Sequence, residues 1–217
     1  MSRPRLGVLI SGRGSNLLAI LEAIDRRELR TEVALVISNR PQAPGLCHAR
    51  AYHVPFHVID RASYPSRADR HCAIRQALDA AGVELVICAG WDEVLLPSLV
   101  AAYAGRILNV HPSLLPAFAG GLHAQADALA YGVKVSGCTV HFMTDQVDGG
   151  PIVVQRAVPV LEDDTPETLA ARILAEEHQA LAEAIRLYAL GSLCLDGRRV
   201  RILAERQVAS VGSQSTH

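Results

Sequence analysis

The chain has 217 residues, half of them hydrophobic, a formal net charge of −1 and five scattered cysteines. That suffices for one well-buried α/β domain, makes a second unexpected, and gives no electrostatic ground for nucleic acid or an acidic membrane as partner. The odd cysteines, with no Cys-x-x-Cys pair, fit free thiols in a reducing compartment, and no apolar run approaches the ~20 residues of a membrane helix. Met1-Ser2-Arg3-Pro4-Arg5 leads into a short strand rather than a signal segment, so a soluble, cytoplasmic protein is expected. His53 and His57 are four apart but flank Val54-Pro55-Phe56, which reads as a strand separating them, and no metal is expected. A phosphorylated small molecule stays open as a ligand, because backbone amides bind phosphate without net positive charge.

In chain order, Leu6–Ile10 reads as a strand buried on both faces. The turn Ser11-Gly12-Arg13-Gly14-Ser15-Asn16 follows, then a helix over Leu17–Ile24, an arrangement that aims backbone amides at an anion. Leu17 stands where a dinucleotide fingerprint has its third glycine, and no Walker lysine follows. Taken alone, the turn fits a phosphate cradle and a plain connection equally.

Val33–Ile37 is a second strand, Gly45–Tyr52 a short helix and His53–Ile59 a third strand. Ser66–Ala81 has helical spacing of Cys72, Ile74, Ala77, Leu78 and Ala81, with Arg67 near its start. Glu84–Gly90 is a fourth strand, and Trp91-Asp92-Glu93-Val94-Leu95-Leu96-Pro97 reads as a helix start with acids in its first turn.

The apolar pair Ile107-Leu108 then ends a buried strand and delivers Asn109 and His111, two apart and hence on one side, before Pro112 stops the ladder. A carboxamide that can donate to an oxyanion and an imidazole that can move a proton are thereby held at a carboxyl strand end, where open α/β sheets bind ligands. A polar strand end that merely satisfies its backbone would look the same.

Ala124–Tyr131 reads as a helix and Val135–Met143 as a strand holding His141, which suits a structural histidine or one that braces a site. Asp148 sits on the glycine-rich loop Val147-Asp148-Gly149-Gly150-Pro151, too short for a helical crossover, so the strand over Ile152–Val158 is expected antiparallel to its neighbour. Thr165 and Pro166 start a long helix to about Leu190, with Leu169, Ile173, Leu174, Leu181, Ile185 and Tyr188 inward. Glu177 lies in that helix, where charges usually mark a solvated face. Gly191–Arg199 reads as a turn and Val200–Leu203 as an edge strand. The expected fold is α/β and Rossmann-like: a mostly parallel twisted sheet with helices on both faces and an antiparallel C-terminal portion. Residues 1–206 form one domain and 207–217 a disordered tail in this reading.

Three stretches carry a resemblance: Asn109 through Pro116 (Asn-Val-His-Pro-Ser-Leu-Leu-Pro), Gly137 through Phe142 (Gly-Cys-Thr-Val-His-Phe) and Asp148 through Pro151. Together they resemble the folate-dependent formyltransferases, over about Leu6 to Ile202, and most of all the members that formylate glycinamide ribonucleotide in purine synthesis. The resemblance implies the formyltransferase fold and small-molecule partners, 10-formyltetrahydrofolate as co-substrate and glycinamide ribonucleotide as acceptor. It leaves a monomer or homodimer open. Asn109, His111 and Asp148 become catalytic, with Asp148 favouring the imidazolium of His111.

Gly14, Ser15 and Asn16 hold the substrate phosphate in that reading, and Glu177 its ribose. Arg67, Asp92, Glu93, Val94, Leu95 and Asn109 face the folate. Family members usually have a methionine and a basic residue at positions 92 and 93, so the acids here put contacts with the acidic folate tail in doubt. Formyltetrahydrofolate hydrolases of the family usually carry an extra N-terminal domain, and methionyl-tRNA formyltransferases a C-terminal one, which a 217-residue chain is not expected to hold. The hydrolase and a non-catalytic nucleotide-binding module are the alternatives.

Overall fold

The computed structural model describes residues 3–203, so the tail expected at 207–217 lies outside the described residues. Alternating segments build β1 (Arg5–Ile10), α1 (Ser15–Asp25), β2 (Glu32–Ser38), α2 (Leu46–Ala51) and β3 (Phe56–Val58). Then come α3 (Arg67–Ala80), β4 (Leu85–Cys88), α4 (Pro97–Ala102), β5 (Ile107–His111) and α5 (Ala124–Tyr131). The chain continues through β6 (Val135–Phe142), β7 (Ile152–Pro159), α6 (Pro166–Ala189), β8 (Leu193–Asp196) and β9 (Arg199–Ile202).

Among the described residues the strands form one nine-stranded sheet in the order β3-β2-β1-β4-β5-β6-β7-β9-β8. The neighbouring strands β3, β2, β1, β4 and β5 are parallel, whereas β6 runs antiparallel to β5 and also to β7, the latter as the short loop between them requires. Strand alternation splits the core in two. Leu6, Val8 and Ile10 of β1 pack with α1, α2, α5 and α6, while Leu9 packs with Ile74 and Leu78 of α3 and Leu99 of α4. This is the expected α/β sandwich.

Four local expectations change. The segment 91–96 is a loop and α4 begins only at Pro97. A residue before proline is pushed out of the helical region, and Leu96 is extended at φ −67°, ψ 147°. The third strand shrinks to Phe56–Val58, because His53 adopts a left-handed φ of 56° that closes α2. Cys72 is exposed, and α3 instead buries Arg70 and His71 beside Ile74 and Leu78. The turn expected over Gly191–Arg199 contains β8, which forms a hairpin with β9 and takes the sheet edge itself.

Candidate active site

Strands β1, β4 and β5 are parallel neighbours, so the loops that leave them emerge on one carboxyl edge within about 10 Å of sheet width. The strand order turns at β1, with β2 and β3 on one side and β4 and β5 on the other, which opens a crevice at that edge. The loops flanking the crevice are tied together: the Ser11 amide donates to the Gly90 carbonyl at 3.1 Å and the Asp92 amide to Ser11 Oγ at 3.0 Å.

The turn after β1 aims α1 into this edge. Gly14 caps the helix with φ 71°, no side chain caps it, and its first turn holds no acid. The opening amides of α1 therefore keep their partial positive charge for an anion. Glycine is required here twice over, since a Cβ on Gly14 would lie 2.7 Å from the Gly45 Cα. Behind the turn, Asn16 Nδ2 donates to Glu177 Oε2 at 2.9 Å, and Asn16 Oδ1 is buried without a partner. Glu177 is itself buried, contrary to the solvated face expected of helix charges. Its spacing accounts for this: 169, 173, 177 and 181 step by four along the apolar stripe of α6. Burial pushes the Glu177 carboxyl above its usual range, and the Asn16 bond offsets this only in part.

The second cluster grows from the β5–β6 register. Asn109 stands directly opposite His141, and the pair meets at 3.2 Å between Nδ2 and Nε2. His141 Nδ1 donates to the Phe142 carbonyl at 3.0 Å, so Nε2 carries the lone pair that accepts from Asn109. That contact orients the carboxamide and leaves its other N–H free. His141 is thus the bracing histidine, 1% exposed.

His111, on the same side of β5, has an acceptor at each ring nitrogen: the Phe118 carbonyl 3.0 Å from Nε2 and Asp148 Oδ2 3.4 Å from Nδ1. Only the imidazolium can donate to both. Asp148 also lies 3.6 Å from His141 Nε2 and accepts from the Gly120 amide at 2.8 Å. Burial would raise its carboxyl, but the Gly120 amide and the charge of His111 hold it below the usual range, so it stays anionic. Asp148 reaches this position with a left-handed φ of 49°. Two residues on, a Cβ at Gly150 would collide with the Phe142 carbonyl, so the loop can cross there only as glycine.

These side chains border a cavity of about 300 Å³ whose wall includes Trp91–Leu95, Asn109–Pro112 and Asp148. A hollow of about 340 Å³ between Gly150, Ile152 and Arg198–Arg201 is lined by none of these acid–base groups. The structure therefore brings Asn109, His111 and Asp148 together with Asp92, Glu93, Val94 and Leu95, and separately joins Gly14, Ser15 and Asn16 to Glu177. Arg67 does not line the cavity; it donates to the Val94 carbonyl and pairs with Glu93. Sequence reading missed the Phe118 carbonyl and the Gly120 amide, because backbone partners leave no mark in residue types. Cys138, whose thiol is pushed up to about 12 by burial and then by Glu177 and Glu176, has no nucleophilic character. Among the described residues no cluster of His, Cys, Asp or Glu is arranged to hold a metal ion, and no helix is long and apolar enough to cross a membrane.

An anion-ready helix end and an Asn–His–Asp set thus share one edge of an open α/β sheet. Residues 4–185 match the family described as formyl transferase. The chain is 38% identical over 200 residues to phosphoribosylglycinamide formyltransferase of Escherichia coli, covering 89% of this chain and 94% of that one. Glycinamide ribonucleotide transformylase 1 from Symbiobacterium toebii superposes with a TM-score of 0.91 at 53% identity, covering 94% and 95% of the two chains. The trifunctional purine biosynthetic protein adenosine-3 of Gallus gallus is 41% identical over 88% of this chain. The chain spans only 14–19% of the length of such trifunctional relatives. It belongs to the formyl transferase family.

Proposed function

We propose that this chain transfers the formyl group of 10-formyltetrahydrofolate to the primary amine of glycinamide ribonucleotide, in purine synthesis. The observation that carries the reading is the convergence of Asn109, His111 and Asp148 on a cavity that shares its sheet edge with the open end of α1. The amides of Gly14, Ser15 and Asn16 take the ribonucleotide phosphate, and Glu177, fixed by Asn16, takes its ribose. The loop of Asp92–Leu95, with Asn109, receives the formyl donor.

The acceptor amine attacks the formyl carbon, its C–N bond forms, and the bond from that carbon to the donor nitrogen breaks. One proton leaves the amine and one proton arrives on the departing nitrogen, so no outside reductant or oxidant enters. Negative charge appears on the formyl oxygen during the attack, and the free N–H of Asn109 is placed to donate to it. His111 supplies a second donor and moves the proton, with Asp148 stabilising its charged form. For its Nε2 proton to reach substrate, the bond to the Phe118 carbonyl must open, which ties proton transfer to the 117–121 loop.

The test follows absorbance of the formyl donor with and without glycinamide ribonucleotide. Turnover that needs the ribonucleotide and collapses in His111→Ala supports the transferase. Turnover without it means hydrolysis, and none at all leaves a nucleotide-binding module.

A further inference from the structure

The cavity wall carries Asp92, Glu93, Asp145 and Asp148, and among the described residues no lysine or arginine lines it. Cations do stand behind the wall, but acids of the 91–95 loop hold them. Glu93 Oε1 receives Arg70, whose side chain is only 5% exposed, and pairs with Arg67 Nε at 3.3 Å. Asp92 does the same for Arg40 while also accepting from Asn39 Nδ2 at 2.9 Å. Of the two arginines on Glu93, Arg67 is the one that faces solvent, with 45% of its side chain exposed, so it is the one a ligand at the rim could reach.

A formyl folate has a neutral ring end and a tail of carboxylates. The ring end suits a cavity with Trp91, Val94, Leu95 and Met143 in its wall. A tail leaving the cavity past the 91–95 loop would meet acids already paired with the neighbouring guanidinium groups, and a carboxylate engaged by two arginines keeps them from a competing anion.

We propose that Glu93 sets the donor specificity of this chain: by holding Arg67 it leaves the acidic tail of the formyl donor without a cation, so added glutamates gain little. This rests on the formyl-transfer reading.

The experiment takes 10-formyltetrahydrofolate in two forms, monoglutamyl and triglutamyl, and measures KM for each donor in wild type, Glu93→Gln and Glu93→Gln/Arg67→Ala. Wild type should treat the two donors within about threefold of each other, the size of a weak exposed charge contact. In Glu93→Gln the triglutamyl KM should fall about tenfold relative to the monoglutamyl one, and high salt should erase the gain. The double variant should lose it as well. A wild type that prefers the triglutamyl donor by about tenfold or more overturns the proposal, and that comparison needs no variant to fold. A Glu93→Gln protein that folds but weakens both donors equally also overturns it. Absence of any wild-type turnover with either donor would sink the formyl-transfer reading and this inference together, whereas the other outcomes leave that reading standing.

Discussion

The two halves of the site hold polar chemistry in opposite ways. In the proposed function the working groups at the start of α1 are backbone amides, and side chains shape their setting: Gly14 turns the chain, Gly45 makes room, and the Asn16–Glu177 pair is packed beneath. At the end of β5 that reading gives the work to side chains, which backbone orients through the carbonyls of Phe118 and Phe142 and the amide of Gly120. An amide cradle tolerates a change of side chain but not of backbone conformation. The acid–base cluster should behave the other way round.

The largest effect expected from this contrast is at β5. His111→Ala should lower kcat about a thousandfold, and Asn109→Ala about a hundredfold or more, with the donor and ribonucleotide KM values changing far less. A raised KM at unchanged kcat, measured by steady-state kinetics, would place these residues in ground-state binding instead.

Next in size is Gly14→Ala. A Cβ at φ 71° against Gly45 should destabilise the fold by about 1–3 kcal/mol in denaturant titration and raise the ribonucleotide KM. Ser15→Ala, by contrast, should change that KM less than about threefold, since only its amide is used. A large loss in Ser15→Ala would mean that the hydroxyl binds and that the contrast is overdrawn.

Glu177→Gln separates binding from stability. The folded carboxyl is raised, so the folded state holds its proton more tightly than the unfolded chain. Wild-type stability conferred by this group is therefore fully present below the unfolded value, about 4.3, and is lost as pH rises through the folded one. Thermal melts should show Glu177→Gln at least as stable as wild type near pH 8, with wild type gaining on it only in acid. A Gln variant that melts well below wild type at pH 8 contradicts this.

The smallest loss of kcat within the acid–base cluster is expected at His141. His141→Asn removes the Nε2 acceptor that orients Asn109, and kcat should fall about tenfold while both KM values hold. An unchanged kcat would show that Asn109 keeps its pose from strand geometry alone.

Strand alternation by itself puts Asn109 and His111 on one side of β5, because the period of two is built into an extended chain. Buried apolar runs and the glycine turn likewise announced the parallel sheet and the open end of α1, and the Thr165-Pro166 pair announced the start of α6. These are local properties, set by φ and ψ limits and by residue type.

Tertiary structure decided the rest. The loop before Pro97 takes its course from tertiary pairs, Asp92 and Glu93 meeting arginines from the 39–40 turn and from α3. Glu177 was placed in the core by its neighbours on α6 and by one carboxamide 161 positions away, a pairing no local window contains. The meeting of His111 and His141 around Asp148 depends on the β5–β6 register and on a loop crossing at Gly150. Such contacts join residues far apart in sequence, and only the closed sheet brings their atoms within hydrogen-bonding reach.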